Sequence, residues 1–315
     1  MNELRVGVAG VGAIGQNHAR VLAELEGVKL VGIFDLDAER AAEAAKRFGT
    51  RVFASLEDLA GAVDAATVAT PTVTHAAVGT MLLERGRHVL IEKPIASSVA
   101  EAEALLTCAH NHGCVLQVGH IERFNPVLEG LEELLGTPRF IEAHRLSPFP
   151  RRSTDIGVVL DLMIHDLEVI LYLVRSDVDQ IDAVGVPVLT GSEDIANARI
   201  RFVGGCVANV TASRVSPERL RKIRIFQEDC YLSLDYQEQN GRLYRKENGQ
   251  IVPSEIAVRK DEPLKLELRS FVECARQGSR PRVSGQEGMK ALELALEITR
   301  GIRTGAGWPG TSTLA

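Results

Sequence analysis

The sequence has no cysteine pair at C-x-x-C spacing, and its five cysteines (Cys108, Cys114, Cys206, Cys230 and Cys274) are scattered and odd in number. That argues against a disulfide framework and against a zinc knuckle, and it fits a reducing compartment. No uninterrupted apolar run approaches the ~18 residues that a membrane-spanning helix needs. Strand-like "LRVGVAG" begins by Leu4 and leaves no room for the apolar region of a signal peptide, so the protein is expected to stay in the cytoplasm. Basic charge is not in excess either. Lys and Arg number 36 against 42 Asp and Glu, for a net charge of −6, so neither nucleic acid nor an anionic membrane is indicated as a partner. Internal repeats and low-complexity tracts are also missing.

What is present is an ordinary globular composition, 45% hydrophobic and 25% charged over 315 residues, which is enough chain for two cores. From Leu4 to about Leu116, short β-branched runs ("LRVGVAG", "VKLVGIFD", "RVFA", "AATVAT", "HVLIEKP", "VLQVGH") alternate with alanine-rich helical stretches. Continuous apolar strands, each followed by a helix, indicate a parallel sheet covered on both faces: a doubly wound α/β domain over 1–120. From about residue 120 the texture changes to a helix and then to alternating runs separated by turn signals such as "FVGGC" and "QNGR". This predicts a mainly antiparallel α+β domain over 121–315. The final segments, "PLKLELRSFVECARQG" and "GQEGMKALELALEITRGI", read as helices expected to pack back on the first domain.

"RVGVAGVGAIGQNHA" sets Gly10, Gly12 and Gly15 in a G-x-G-x-x-G pattern between a strand and a helix. Gly10 permits the tight turn, Gly12 lets backbone approach a pyrophosphate, and Gly15 allows close helix packing. Ala13 and Ile14 open a helix whose amides face the anion. "LVGIFD" ends in Asp35, 20 residues beyond Gly15, where an acid accepts from ribose hydroxyls and repels a 2′-phosphate. NAD is therefore expected in preference to NADP. Arg40 either reaches the adenosine end or is an exposed helix residue. In "VATPTVTH", Thr70, Pro71 and His75 follow another strand and should border the nicotinamide side, with His75 either a cofactor contact or a helix-start residue.

"HVLIEKPIA" brings Glu92 and Lys93 to the same edge of the sheet, followed by Pro94, whose peptide bond can be cis. A lysine near the cofactor's positive ring can donate to an alcohol oxygen. "LDLMIHDLEVILYLV" reads as an apolar helix that carries Asp161 and His165 four residues apart, on one face. An acid that orients an imidazole, which then takes a proton from a hydroxyl, is one reading; a hydrogen-bonded core pair is the other. Asp166 and Glu168 fall elsewhere on the helix and read as structural or interface groups. No third ligand of matching spacing appears, so no metal is expected.

Together, "GVAGVGAIGQNHA", "ATPTVTH", "HVLIEKPIA" and "DLMIHD" resemble the glucose-fructose oxidoreductase / inositol dehydrogenase / MocA (Gfo/Idh/MocA) family over essentially the whole chain. The resemblance implies that Lys93, Asp161 and His165 form the catalytic group, and that the C-terminal domain carries a large open-faced sheet pairing subunits into homodimers or homotetramers. "VGHIERFNP" and "HRLSPFPRRSTDIGVVLDLMIHD" look like the members that oxidise the 3-hydroxyl of UDP-N-acetylglucosamine, some of which feed a partner aminotransferase in lipid A biosynthesis. That likeness makes Arg123, Asn125, Arg151, Arg152 and His165 the expected substrate contacts. Arg123, Arg151, Arg152 and Arg214 offer guanidinium forks suited to a diphosphate, or are ordinary surface arginines. Which of Lys93 and His165 is the formal base stays open. The alternatives are oxidation of another sugar, a UDP-sugar uronate or an inositol, and a non-catalytic NAD-binding regulator.

Overall fold

The computed structural model describes residues 3–131, 134–149 and 156–304. They divide into two compact units, Met1–Phe124 with Asp261–Leu292, and Asn125–Lys260 with the chain from Glu293 onward.

The first unit is built on six parallel strands: β1 (Leu4–Ala9), β2 (Val28–Phe34), β3 (Arg51–Val52), β4 (Ala65–Val68), β5 (His88–Glu92) and β6 (Leu116–Gly119). Their order is β3-β2-β1-β4-β5-β6. The sheet therefore reverses its winding between β1 and β4, and ligands of such sheets bind beyond the strands' carboxyl ends at that reversal. Val6, Val8, Ile33, Val68, Leu90, Ile91 and Val118 are fully buried, as apolar runs covered on both faces require. Burying side chains of this size contributes about 1.5–3 kcal/mol each.

The covering helices are α1 (Ala13–Glu24), α2 (Ala38–Phe48), α3 (Leu56–Ala62), α4 (Thr72–Glu84) and α5 (Val99–Asn111). Side chains of Asp37, Ser55 and Ser98 cap α2, α3 and α5 by accepting from the amides of Arg40, Asp58 and Glu101. Each thereby satisfies one of the donors a helix start leaves unpaired. A further helix, α7 (Pro263–Gln277), starts on proline, ends on Gly278 at φ 63° and returns to this unit. Its Leu268 and Phe271 join Val6, Val8 and Leu22 in one core cluster.

The second unit carries eight strands: β7 (Phe140–Leu146), β8 (Val178–Val186), β9 (Ile195–Phe202), β10 (Val207–Ser213), β11 (Leu220–Phe226), β12 (Cys230–Asp235), β13 (Asn240–Glu247) and β14 (Gln250–Ile256). The order is β14-β13-β12-β11-β7-β10-β9-β8. β7 and β10 pair in parallel, and the other pairs are antiparallel. Ile141, Ala143, Ala198, Ala208, Val210, Ala212, Ile223 and Ile225 line the inner face, on which α6 (Ile164–Val174) packs across β7 and β10. The opposite face alternates out of phase. It carries a row of Phe140, Phe226, Tyr231 and Tyr244, with ring centroids 5.6, 5.0 and 4.3 Å apart along the row.

Four elements depart from the sequence reading. β14 was not anticipated: it is an exposed edge strand with Pro253 at its centre, a position proline tolerates only at an edge. The helix expected after residue 120 is, among the described residues, two short 3₁₀ turns, Ile121–Phe124 and Pro126–Leu128. The stretch expected as one α-helix from Leu160 begins as a π-helical turn, Val159–Met163, before α6. Lastly, α8 (Gly285–Thr304) contributes its first turns to the first unit and its remainder to the second.

Candidate active site

In the first unit, the turn between β1 and α1 is shaped by its glycines. Gly10 sits at φ 85°, a left-handed conformation costly for any other residue, and donates its amide to Phe34 O at 2.8 Å. A Cβ on Gly15 would lie 1.9 Å from the Gly10 carbonyl oxygen. A Cβ on Gly12 would meet nothing within 4 Å, so that side of the turn is open to an incoming group. The start of α1 at Ala13 and Ile14 has no side-chain cap and no acid in its first turn, and its free amides suit a pyrophosphate. These features fit a dinucleotide.

Asp35 follows β2, and its carboxylate accepts from the Val11 amide at 2.7 Å and the Asp37 amide at 2.9 Å. Arg40 is an exposed residue of α2, as one of its two readings had it, and its guanidinium forks onto Asp35 at 2.7 and 3.2 Å. Burial pushes the Asp35 carboxyl up, but Arg40 and the two amides outweigh it and hold it below the usual carboxylate range. Asp35 is thus an anion at neutral pH, tethered to the glycine turn and placed to accept from hydroxyls.

Beyond β4, Thr70 and Pro71 lead into α4. His75 is 1% exposed, and its ring nitrogens lie 2.8 Å from Thr70 O and 2.8 Å from Pro94 O. The ring therefore lies between the turn after β4 and the turn after β5, and in its neutral form donates to one of the two carbonyls. Burial pushes its pKa down.

β5 delivers Glu92 and Lys93 to the same edge, and the Lys93–Pro94 bond is cis. Lys93 is half-buried. The Glu92 carboxylate is 2.9 Å from His18 Nε2 and accepts the Lys93 amide at 3.3 Å. His120, at the end of β6, was not singled out by sequence reasoning. It is 1% exposed, and burial, with the charges of Lys93 and Arg123 added, pushes its pKa down to about 3. It is neutral at physiological pH. His18 was also missed, although it stands in the quoted glycine motif and its helical spacing from Gly15 put it on the inner face of α1.

Arg123 is buried, and its carbonyl accepts from Arg282 at 3.2 Å. In the second unit, Asn125 is 2% exposed. Its Oδ1 caps the Pro126–Leu128 turn by accepting the Val127 amide at 3.2 Å, and its amide donates to Tyr236 O at 2.9 Å. These bonds hold a turn rather than present the amide to a ligand. Arg151 and Arg152 lie outside the described residues.

Asp161 falls within the π turn and His165 in the first turn of α6, both half-buried. A π turn winds more slowly than an α-helix, so residues four apart across it stay nearly in line. Neighbouring Asp166, 1% exposed, receives Arg145 of β7 as a fork at 2.7 and 3.1 Å, which fixes α6 against the sheet.

Arg214 corrects an expectation: it is no diphosphate fork at the surface. It is fully buried, donating to Asp194 at 2.8 Å, Thr190 Oγ1 at 2.9 Å and Ile156 O at 2.7 Å. Asp194 in turn accepts the amides of Val188, Leu189 and Thr190. A buried guanidinium needs such an anion, and this pair anchors the chain where it enters the π turn. Beside it, Val158 and Val159 donate their amides to the Glu193 carbonyl at 2.9 Å and its carboxylate at 3.4 Å.

Comparison with known proteins places this architecture. Residues 4–120 match a family model described as the oxidoreductase family, NAD-binding Rossmann fold, and residues 132–232 match the GFO/IDH/MocA C-terminal domain. UDP-N-acetylglucosamine 3-dehydrogenase of Acidithiobacillus ferrooxidans is 39% identical, over 95% of this chain and 97% of that one. The chain belongs to the Gfo/Idh/MocA oxidoreductase family. A solved structure of that same dehydrogenase covers 96% of this chain and 99% of its own at a TM-score of 0.93. Within the family, scyllo-inositol 2-dehydrogenase (NAD(+)) of Bacillus subtilis is 27% identical over 96% of this chain and 95% of its own. A levoglucosan dehydrogenase solved with NADH and levoglucosan shares the fold at a TM-score of 0.87 and 19% identity. The chain is therefore an oxidoreductase with an NAD-binding Rossmann domain, as the glycine turn and Asp35 indicated. All five cysteines are free. Among the described residues, no helix is long and apolar enough to cross a membrane and no cluster suits a metal ion.

Proposed function

We propose that this protein is an NAD-dependent dehydrogenase that oxidises a secondary alcohol of a nucleotide sugar, the 3-hydroxyl of UDP-N-acetylglucosamine, to the 3-keto sugar. The observation that carries this reading is the 39% identity, along nearly the full length of both chains, to the Acidithiobacillus enzyme named for that reaction. The 3-keto product is a substrate for an aminotransferase, which we assign as the functional partner.

NAD, when bound, supplies the acceptor for the hydride. Gly10, Gly12, Gly15 and the α1 amides hold its pyrophosphate, and Asp35 takes the adenosine ribose. The acid tethered there disfavours a 2′-phosphate. Lys93 donates to the substrate hydroxyl and stabilises charge developing on its oxygen. His165 accepts the hydroxyl proton, and Asp161 orients the imidazole. One alcohol proton and one hydride leave the sugar, so the product is two hydrogens lighter and one proton is released.

The test is incubation of the purified protein with NAD and a panel of UDP-sugars, following NADH absorbance and the product mass. Where NADH stays bound, 2-oxoglutarate is added to recycle it. UDP-N-acetylglucosamine should yield a product two hydrogens lighter. Lys93→Ala and His165→Ala should each cut turnover on the order of 10²–10⁴-fold while retaining NAD binding; near-normal turnover in both sinks the residue assignment. The resemblance to inositol dehydrogenases supports a second reading, oxidation of a free polyol, which the same assay with inositols distinguishes.

A further inference from the structure

Glu267, on α7, has no part in the chemistry proposed for the alcohol, yet it is fully buried, and among the described residues neither of its carboxylate oxygens has a hydrogen-bond partner. An ionised carboxylate accepts hydrogen bonds only, so leaving one dry and unmatched in a protein interior costs several kcal/mol. Among the described residues no cation bonds to it. The ionisable groups on the elements around α7 are His18 and Arg20 on α1, Glu92 and Lys93 at the end of β5, and His120, Glu122 and Arg123 near the first 3₁₀ turn. Arg20 is committed to Glu262, and the charge that reaches Glu267 is that of Glu92.

The two acids divide their roles by their partners. Glu92 has the His18 ring nitrogen and the Lys93 amide as donors, as an anion requires. Glu267 has none. His18 Nδ1 is buried without a partner among the described residues, so the ring meets Glu92 through Nε2 alone. Two desolvated carboxyls side by side do not both ionise. Burial, with the Glu92 charge added, pushes the Glu267 carboxyl well above its usual range.

We propose that Glu267 is a positioning residue for Lys93: an uncharged carboxylic acid that leaves Glu92 the sole anion behind the lysine, holding His18 and the Lys93 amide. Ionisation of Glu267 at alkaline pH sets two negative charges against each other there, and the end of β5 loses its fixed geometry. This rests on Lys93 acting at the reacting alcohol, and two of the measurements below do not require turnover at all.

The experiment compares the full-length protein with Glu267→Gln and Glu267→Leu. The infrared spectrum of the wild type at neutral pH should show a protonated carboxyl band that Glu267→Gln removes. Because the folded protein holds this proton more tightly than the unfolded chain, whose Glu titrates near ~4.3, wild-type stability should fall relative to Glu267→Gln as pH rises above that value. The gap in Tm should therefore widen with pH. Turnover of Glu267→Gln should be close to wild type at neutral pH, with the alkaline limb of its pH profile moved upward. Glu267→Leu should keep NAD affinity and lose about tenfold in kcat. A wild type without the infrared band, a Tm gap constant with pH, or an unmoved alkaline limb overturns the proposal, and so does full kcat in a folded Glu267→Leu. If the wild type turns over no UDP-sugar, the infrared and Tm measurements still decide the charge of Glu267, while the assignment of substrate fails on its own.

Discussion

The two units bury ionisable groups in different ways. Near Lys93 the first unit encloses histidines and glutamates, among them His18, His75, His120, Glu92 and Glu267. The second unit encloses two arginine–aspartate forks, Arg145–Asp166 and Arg214–Asp194. Guanidinium stays charged at any accessible pH, and burial notwithstanding, the Leu189 amide, Arg214 and Thr190 hold the Asp194 carboxyl far below the ordinary range. The forks therefore keep one charge state and act as scaffold: they fix α6 and the entry to the π turn. Of the first unit's groups, burial displaces the His120 imidazole downward and the Glu267 carboxyl upward, so their charge can respond to pH.

The largest test of this contrast is Asp194→Ala. It leaves Arg214 buried without its anion and should cost about 3–5 kcal/mol in urea unfolding; a loss below about 1 kcal/mol would show that the fork is not scaffold. A smaller effect is expected in the first unit. His120 titrates lower in the folded protein than unfolded, so its unfolded form binds more protons between ~6.5 and about 3. Stability is then full above the unfolded pKa and falls as pH drops through this window, by about 1.4 kcal/mol per pH unit for one such group. His75 and His88 act with the same sign. His120→Gln should make the acid limb of stability shallower by roughly that slope while leaving stability at neutral pH little changed; an unaltered slope would remove His120 from the responsive set. The smallest effect belongs to an exposed pair. Arg224→Ala breaks a 2.9 Å bridge to Glu142 on the open sheet face and should cost only about 0.2–1 kcal/mol, less at high salt.

Most strands of the first sheet were legible as buried apolar runs that end in a turn or helix signal, whereas β3 is a two-residue exposed edge strand marked only by its place between two helical stretches. The glycine turn and the acid at the end of β2 were legible as local features because both depend on short spacings along the chain. β14 was hidden by Pro253 and by its exposure, which removes the alternation that marks a half-buried strand. The π turn was hidden because apolar residues on nearly every side carry no period that separates it from an α-helix. Arg214 was misassigned for a different reason: the same guanidinium suits a phosphate or a buried aspartate, and only the fold decides which it meets. His18 and Glu267 escaped, and so did their grouping with Glu92, because that grouping joins three distant segments of chain, which no local pattern reports.

The one parallel pairing in the second sheet, β7 with β10, governs the order in which this unit can assemble. Parallel neighbours cannot be joined by a hairpin, and here the connecting chain, 147–206, includes the π turn, α6, β8 and β9. Closing so long a loop is entropically costly and slow compared with zipping the local β11–β12 and β12–β13 hairpins. Asp161 and His165 ride within that loop, on a helix that rests across both strands of the late pair. The placing of these two residues against the sheet is accordingly among the last things the folding chain acquires.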